Sequence, residues 1–149
     1  MQMKKWSLLL LPAGLVGLLL NLSSVAAAEQ SLTFEGAWIR AMPPAMKMTA
    51  GFGRLHNASG QAIELTAFAS PQFGDISLHR TELVDGVSRM RKVPALLIAP
   101  GESVSLEPGG HHLMLMMPVA PLTTGARVTL DMIADDGREF RFELPVEKR

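Results

Sequence analysis

The chain has 149 residues, with 14 basic and 14 acidic side chains and no formal net charge. Such a balance offers no electrostatic footprint for nucleic acid or an anionic membrane surface. Cysteine is absent, which leaves stability to packing and removes thiolate from the candidate metal ligands.

The first segment reads as a targeting signal rather than as structure. Lys4 and Lys5 make a short positive region, Ser7 to Leu22 is almost wholly apolar, and Val25-Ala26-Ala27-Ala28 offers a small-residue cleavage site. A secretory signal over residues 1–28 is expected, cut after Ala28. The apolar run is short for a membrane span and is broken by Pro12. With no cysteine after the cut, a lipid anchor is not expected. Removing Lys4 and Lys5 leaves 12 basic against 14 acidic residues, a net charge of −2, on a mature chain of residues 29–149. About 120 residues fold as one domain, burying roughly two-thirds of the unfolded surface.

Short apolar runs punctuated by Gly, Pro, Asn and Asp follow. Strands are expected at Thr33–Arg40, Ala50–His56 and Ala62–Ser70, with Met42–Met48 a loop because Pro43-Pro44 cannot continue a ladder. Ser77–Leu83 and Val87–Val93 flank Asp85-Gly86, a strong two-residue hairpin signal. Ala95–Ile98 and Ser103–Leu106 flank Pro100-Gly101, and His111–Met117 forms a strand after Pro108-Gly109-Gly110. Arg127–Ala134 and Glu139–Val146 flank Asp135-Asp136-Gly137. No helical period is sustained outside the signal, so the fold class is all-β, an antiparallel sandwich or barrel.

His79, Met90, His112 and Met114 carry the chemistry. They read His-x10-Met-x21-His-x-Met, two imidazoles and two thioethers, a neutral soft set that favours Cu(I). Zinc is a poorer fit, since it prefers thiolates or imidazole with carboxylate. On a strand, His112 and Met114 point the same way, roughly 7 Å apart, while Leu113 and Leu115 enter the core. A two-residue turn at Asp85-Gly86 makes paired residue numbers across that hairpin sum to a constant. Val84 then faces Val87, Thr81 faces Met90, and His79 faces Lys92. His79 and Met90 become diagonal neighbours on one face. Spacing thus yields two co-facial pairs, and periodicity alone does not bring the pairs together.

At these residues the chain resembles the periplasmic PCu(A)C copper-chaperone family. Ala37-Trp38-Ile39-Arg40-Ala41-Met42-Pro43-Pro44 is similar to the family's opening Ala-Trp-x-Arg-x-x-Pro-Pro segment. His79 with Met90, then Gly109-Gly110-His111-His112-Leu113-Met114-Leu115-Met116, is similar to its ligand signature. The resemblance implies a cupredoxin-like Greek-key β fold, a periplasmic location, and Cu(I) as cargo bound by His79, Met90, His112 and Met114. It also implies delivery to the CuA centre of cytochrome c oxidase subunit II, or to a Sco-type partner, with no catalytic role. A periplasmic copper buffer without a dedicated acceptor is the alternative. A blue-copper carrier would need a cysteine ligand, and no hydrolase motif surrounds Ser77 and His79.

Several residues depart from the signature or stand beside it. His111 should face away from His112, in a supporting or surface position. The terminus at Val146-Glu147-Lys148-Arg149 lacks the His/Met-rich tail of some relatives. Met42, Met46 and Met48 read as loop packing, with extra thioethers or a soft docking surface as the other reading. Met116 shares a face with Met114 and reads as packing, with a spare ligand as the other reading; Met117 reads as core, and Trp38 as a core or rim aromatic. Arg40 is a candidate anchor for the loop after it, and His56 reads as surface.

Overall fold

Alternating side chains and Gly- or Asp-containing turns organise residues 30–149, the part of the chain described by the computed structural model, into ten strands. These are β1 (Leu32–Arg40), β2 (Met48–Asn57), β3 (Ile63–Ala69), β4 (Phe73–Val84), β5 (Val87–Lys92), β6 (Leu96–Ile98), β7 (Ser103–Leu106), β8 (His111–Pro118), β9 (Arg127–Ala134) and β10 (Glu139–Glu147). The expected signal over residues 1–28 lies outside the described residues. Among the described residues no helix is long and apolar enough to cross a membrane.

Seven strands close into a barrel in the order β4-β8-β2-β1-β10-β9-β3, with Phe68 opposite Ile76 completing the ring between β3 and β4. β5, β6 and β7 pair outward from β4, β3 and β2. The expected antiparallel arrangement holds at every junction but one, where β1 and β10 run parallel through Ile39–Val146 and Arg40–Glu147. The reason is topological. Directions cannot alternate all the way round a ring with an odd number of strands, so a seven-stranded barrel needs a parallel junction.

The barrel is filled by the inward set of each strand, including Ile39, Leu55, Leu65, Leu78, Leu113, Leu115, Leu130, Met132, Leu144 and Val146. Burying each large side chain contributes about 1.5–3 kcal/mol of transfer free energy. In β8 the alternation is strict, with Leu113 and Leu115 buried and His112, Met114 and Met116 on the outer face. It ends at Met117, which was expected in the core. Met117 has φ 55° and is 58% exposed. The left-handed backbone turns its side chain out of the inward position, where it packs over Gly74.

The hairpin register follows the turn chemistry. Asp85 (φ 51°) and Gly86 (φ 76°) form the two-residue turn, and Val84–Val87, Thr81–Met90 and His79–Lys92 are the observed pairs. β4 is longer than its apolar run indicated, starting at Phe73, and β2 reaches back to Met48. His56, expected at the surface, is half-buried, with its Nδ1 2.9 Å from Ser103 Oγ on β7. The extra outward strand covers a position that β2 alone would leave open.

A bulge in β1 between Glu35 and Trp38 brings its backbone onto β2 at Gly53. A Cβ at Gly53 would stand 2.5 Å from the Phe34 ring and 2.9 Å from the Ala37 Cα, and its φ of 152° is one that other residues rarely adopt. Gly53→Ala is therefore expected to destabilise the barrel by about 1–3 kcal/mol, the usual cost of overpacking. Urea denaturation would register this as a lower midpoint at an unchanged slope.

Candidate metal centre

The decisive register is between β4 and β8. His79 stands directly opposite His112, and Ser77 opposite Met114. Directly opposed residues share a face, so both histidines and Met114 lie on the outer side of the barrel wall whose inner side is Leu78, Leu113 and Leu115. The imidazole centroids are 6.0 Å apart with planes tilted by 31°. Met90 reaches the same face from the outer strand β5, one diagonal step from His79. Met90, His112 and Met114 line one cleft of about 290 Å3, roofed by the segment from Arg40 to Met48. The two sequence pairs are thus joined, because β8 docks beside the hairpin strand β4.

The histidines are oriented by their neighbours. The His112 Nδ1–H donates to the Gly110 carbonyl at 3.1 Å, since a carbonyl only accepts. That leaves Nε2 with a lone pair, and this atom is buried without a hydrogen-bond partner. His79 is the mirror case. Its Nε2 is 2.9 Å from the Ser77 hydroxyl, and its Nδ1 is the buried, unpartnered nitrogen. Two buried imidazole nitrogens without partners are costly unless something binds them. A soft cation accepts a lone pair from each, so the donor set fits such an ion. Among the described residues no three His, Asp or Glu side chains gather as a harder metal would require.

Local electrostatics favour the neutral form of the His79 ring. Burial, followed by the charges of His112 and Lys92, pushes the His79 imidazole below its ordinary value, against a weaker opposing effect of Asp75. His111 is also held low, by burial and then by Arg80 and His112. It stands opposite Arg80, alternating away from His112 as expected. Met90 is 52% exposed while His112 is 5% exposed, so the site has a buried imidazole floor and a thioether at the surface.

The segment around Trp38 builds the wall beside the site. Arg149 lies over the Trp38 ring (4.7 Å), Trp38 packs on Phe52 (5.0 Å), and Arg40 covers Phe52 (5.1 Å). Phe52 and Arg40 line a hollow of about 160 Å3 shared with Met90 and His112. Arg40 anchors the next loop through its backbone, since the Thr49 hydroxyl donates to its carbonyl at 2.6 Å. Sequence reasoning noticed Ser77 only as a neighbour of His79 and missed its role as the group that orients the ring. The i, i+2 spacing on a strand was the available signal.

Fold and site together define an outward-facing imidazole and thioether centre on a closed β-barrel. A family model described as "Putative lipoprotein LpqE-like" matches residues 32–146. The chain belongs to this family, and its resemblance to the PCu(A)C proteins extends through the whole barrel. The solution structure of CuI-DR1885 from Deinococcus radiodurans is 34% identical, with a TM-score of 0.64 over 83% of this chain and 84% of that one. The copper-bound PCuAC domain from PmoF2 is 18% identical, with a TM-score of 0.65 over 80% and 94%, and shares the fold. A relative from Leifsonia xyli subsp. xyli described as "Putative lipoprotein Lxx21020" is 34% identical over 113 residues, 74% of this chain and 66% of the relative. RP573 of Rickettsia prowazekii is 28% identical over 75% of this chain and 64% of its own length. The chain thus spans about two-thirds of the curated relatives it matches.

Two outcomes follow from the orientation and charge of the histidines. Ser77→Ala removes the partner that sets the His79 ring, and losing such a support typically costs about 10–100-fold in metal affinity. Competition with a Cu(I) chelator measures it, and wild-type affinity would show that the hydroxyl does not orient the ring. For the metal-free protein, imidazoles held below 6.5 mean that the unfolded chain binds more protons than the fold in mildly acidic solution. Stability contributed this way is complete above the unfolded value and is lost as pH falls toward the folded one. The apo melting temperature should drop from about pH 7.5 to about pH 5, and His79→Gln should flatten that slope.

Proposed function

We propose that the protein is a periplasmic Cu(I) carrier in which Nδ1 of His79, Nε2 of His112 and the thioethers of Met90 and Met114 hold the ion. The observation that carries this reading is the pair of buried, unpartnered imidazole nitrogens on directly opposed histidines, on the strand face shared with those methionines. Copper-bound structures of DR1885 and of the PmoF2 domain lend it support from within the same fold. All four donors are neutral, so the loaded site carries a single positive charge. That is far cheaper to place against apolar surface than a divalent ion. Thioethers never need deprotonation, and the depressed His79 imidazole stays available as a lone-pair donor into mild acid.

Carrying requires release as well as capture. Met90 is the exposed donor and lies on β5, which among the described residues pairs only with β4. This exposed thioether is the most readily displaced of the four donors, and the ion then moves by stepwise exchange while His112 holds it from below. An exposed, displaceable donor favours delivery over storage. The acceptor we infer is the CuA centre of cytochrome c oxidase, reached directly or through a Sco-type protein. Export through a cleaved signal agrees with the apolar segment before residue 29 and with the lipoprotein description of the Leifsonia relative.

Cu(I) competition titration under reducing conditions tests the binding. One tight equivalent is expected in the wild type, weakened about tenfold or more by His79→Ala or Met114→Ala, each tenfold being 1.4 kcal/mol. Unchanged affinity in both variants rejects the ligand set. Mixing the copper-loaded protein with an apo CuA domain or a Sco-type protein then separates a carrier from a buffer, because only a carrier gives up its ion to such an acceptor faster than to solvent.

A further inference from the structure

Five methionines line a single cleft, and the four-ligand site uses two of them. Met42, Met46 and Met48 share the cleft with Met90, Met114 and His112. Loop packing does not account for all three. Met46 is 49% exposed and Met48 is 48% exposed, so both leave much of their apolar surface in water. Met132, by contrast, is fully buried in the barrel, and Met42 is partly buried against the core beneath the cleft.

The backbone under these side chains is pinned. The Met46 amide donates to the Pro43 carbonyl (3.0 Å), and the Met117 amide donates to the Lys47 carbonyl (2.9 Å). The Thr49 hydroxyl closes the base of the loop on Arg40. A fixed main chain therefore holds flexible thioethers at the cleft mouth. Register then connects them to the inner site. Met48 stands opposite Met116, and Ala50 stands opposite Met114. Met48, Ala50, Met114 and Met116 share the outer face with His112, and Ala50 is too small to separate Met48 from Met114. Met48 is thus a diagonal neighbour of Met114, and Met42 and Met46 line the same cleft.

The cleft lining selects the ion. It contains no carboxylate, and its cation is Arg40. Hard divalent ions find no oxygen charge there, whereas a soft monovalent ion finds three unused sulfur donors.

We propose that Met42, Met46 and Met48 form a second, weaker site for Cu(I) at the cleft mouth, through which the ion enters and leaves the inner site by way of Met114. This rests on the carrier reading above. Three thioethers without an imidazole bind less strongly than two thioethers with two imidazoles, which is what an entry port requires. The ion moves down the gradient on loading and returns to the mouth when an acceptor competes for it.

Methionine-methyl NMR on the full mature protein, titrated with Ag(I) as a redox-inert stand-in for Cu(I), tests the proposal. The first equivalent should shift the methyls of Met90 and Met114, and the second those of Met42, Met46 and Met48. The double variant Met46→Leu/Met48→Leu keeps volume and burial, so it should fold and retain the tight equivalent. It should lose the second and give up Cu(I) to a chelator about tenfold more slowly, equivalent to 1.4 kcal/mol. A second equivalent that leaves Met42, Met46 and Met48 unmoved, or release at the wild-type rate from the double variant, overturns the port and leaves the inner site standing. A first equivalent that bypasses Met90 and Met114 overturns both, because no inner site would remain for the mouth to serve.

Discussion

The cross-strand opposition of His79 and His112 is the constraint on which the rest of the molecule turns. Each imidazole hangs from a strand whose other face is locked into the barrel by Leu78 and Leu113. A slip of one residue in either strand would drive those leucines into water and the histidines into the core. The hydrophobic core therefore enforces the register, and the register places two imidazoles side by side. Precision at the surface is inherited from packing beneath it.

Within that frame each ring is made to offer one nitrogen. The Gly110 carbonyl and the Ser77 hydroxyl occupy one side of each imidazole and leave His112 Nε2 and His79 Nδ1 free. Leaving two buried nitrogens unpaired costs stability unless a partner engages them. Depressing the His79 proton affinity by burial and nearby positive charge serves the same end, since a protonated ring has no lone pair to give. In the proposed site, neutral sulfur completes the set without adding charge. The gradient from a buried imidazole floor to exposed thioethers gives the site an inside and an outside.

Much of this was legible in the chain. Asp85-Gly86 dictated a two-residue turn, and from it the pairing of Thr81 with Met90 and of His79 with Lys92 followed by counting. The alternation of β8 separated His112 and Met114 from Leu113 and Leu115. Other features needed neighbours that no local pattern names. Met117 broke the alternation because its backbone turned left-handed, and His56 was covered by β7, a partner about fifty residues away. The parallel β1–β10 junction arose from closing an odd ring, a property of the assembled sheet.

By itself the sequence determined the chemistry and the local geometry: which donors exist, which way each points along its strand, and how the hairpin pairs. Periodicity and turn stereochemistry act over a few residues, so they are written in short stretches of chain. Only the tertiary structure decided that β8 lies beside β4, that Ser77 and Gly110 orient the two rings, and that the methionines of the Pro-Pro loop open onto the same cleft. Those relations depend on which strands meet when the barrel closes. That choice is made by burial summed over the whole core, which no single segment encodes.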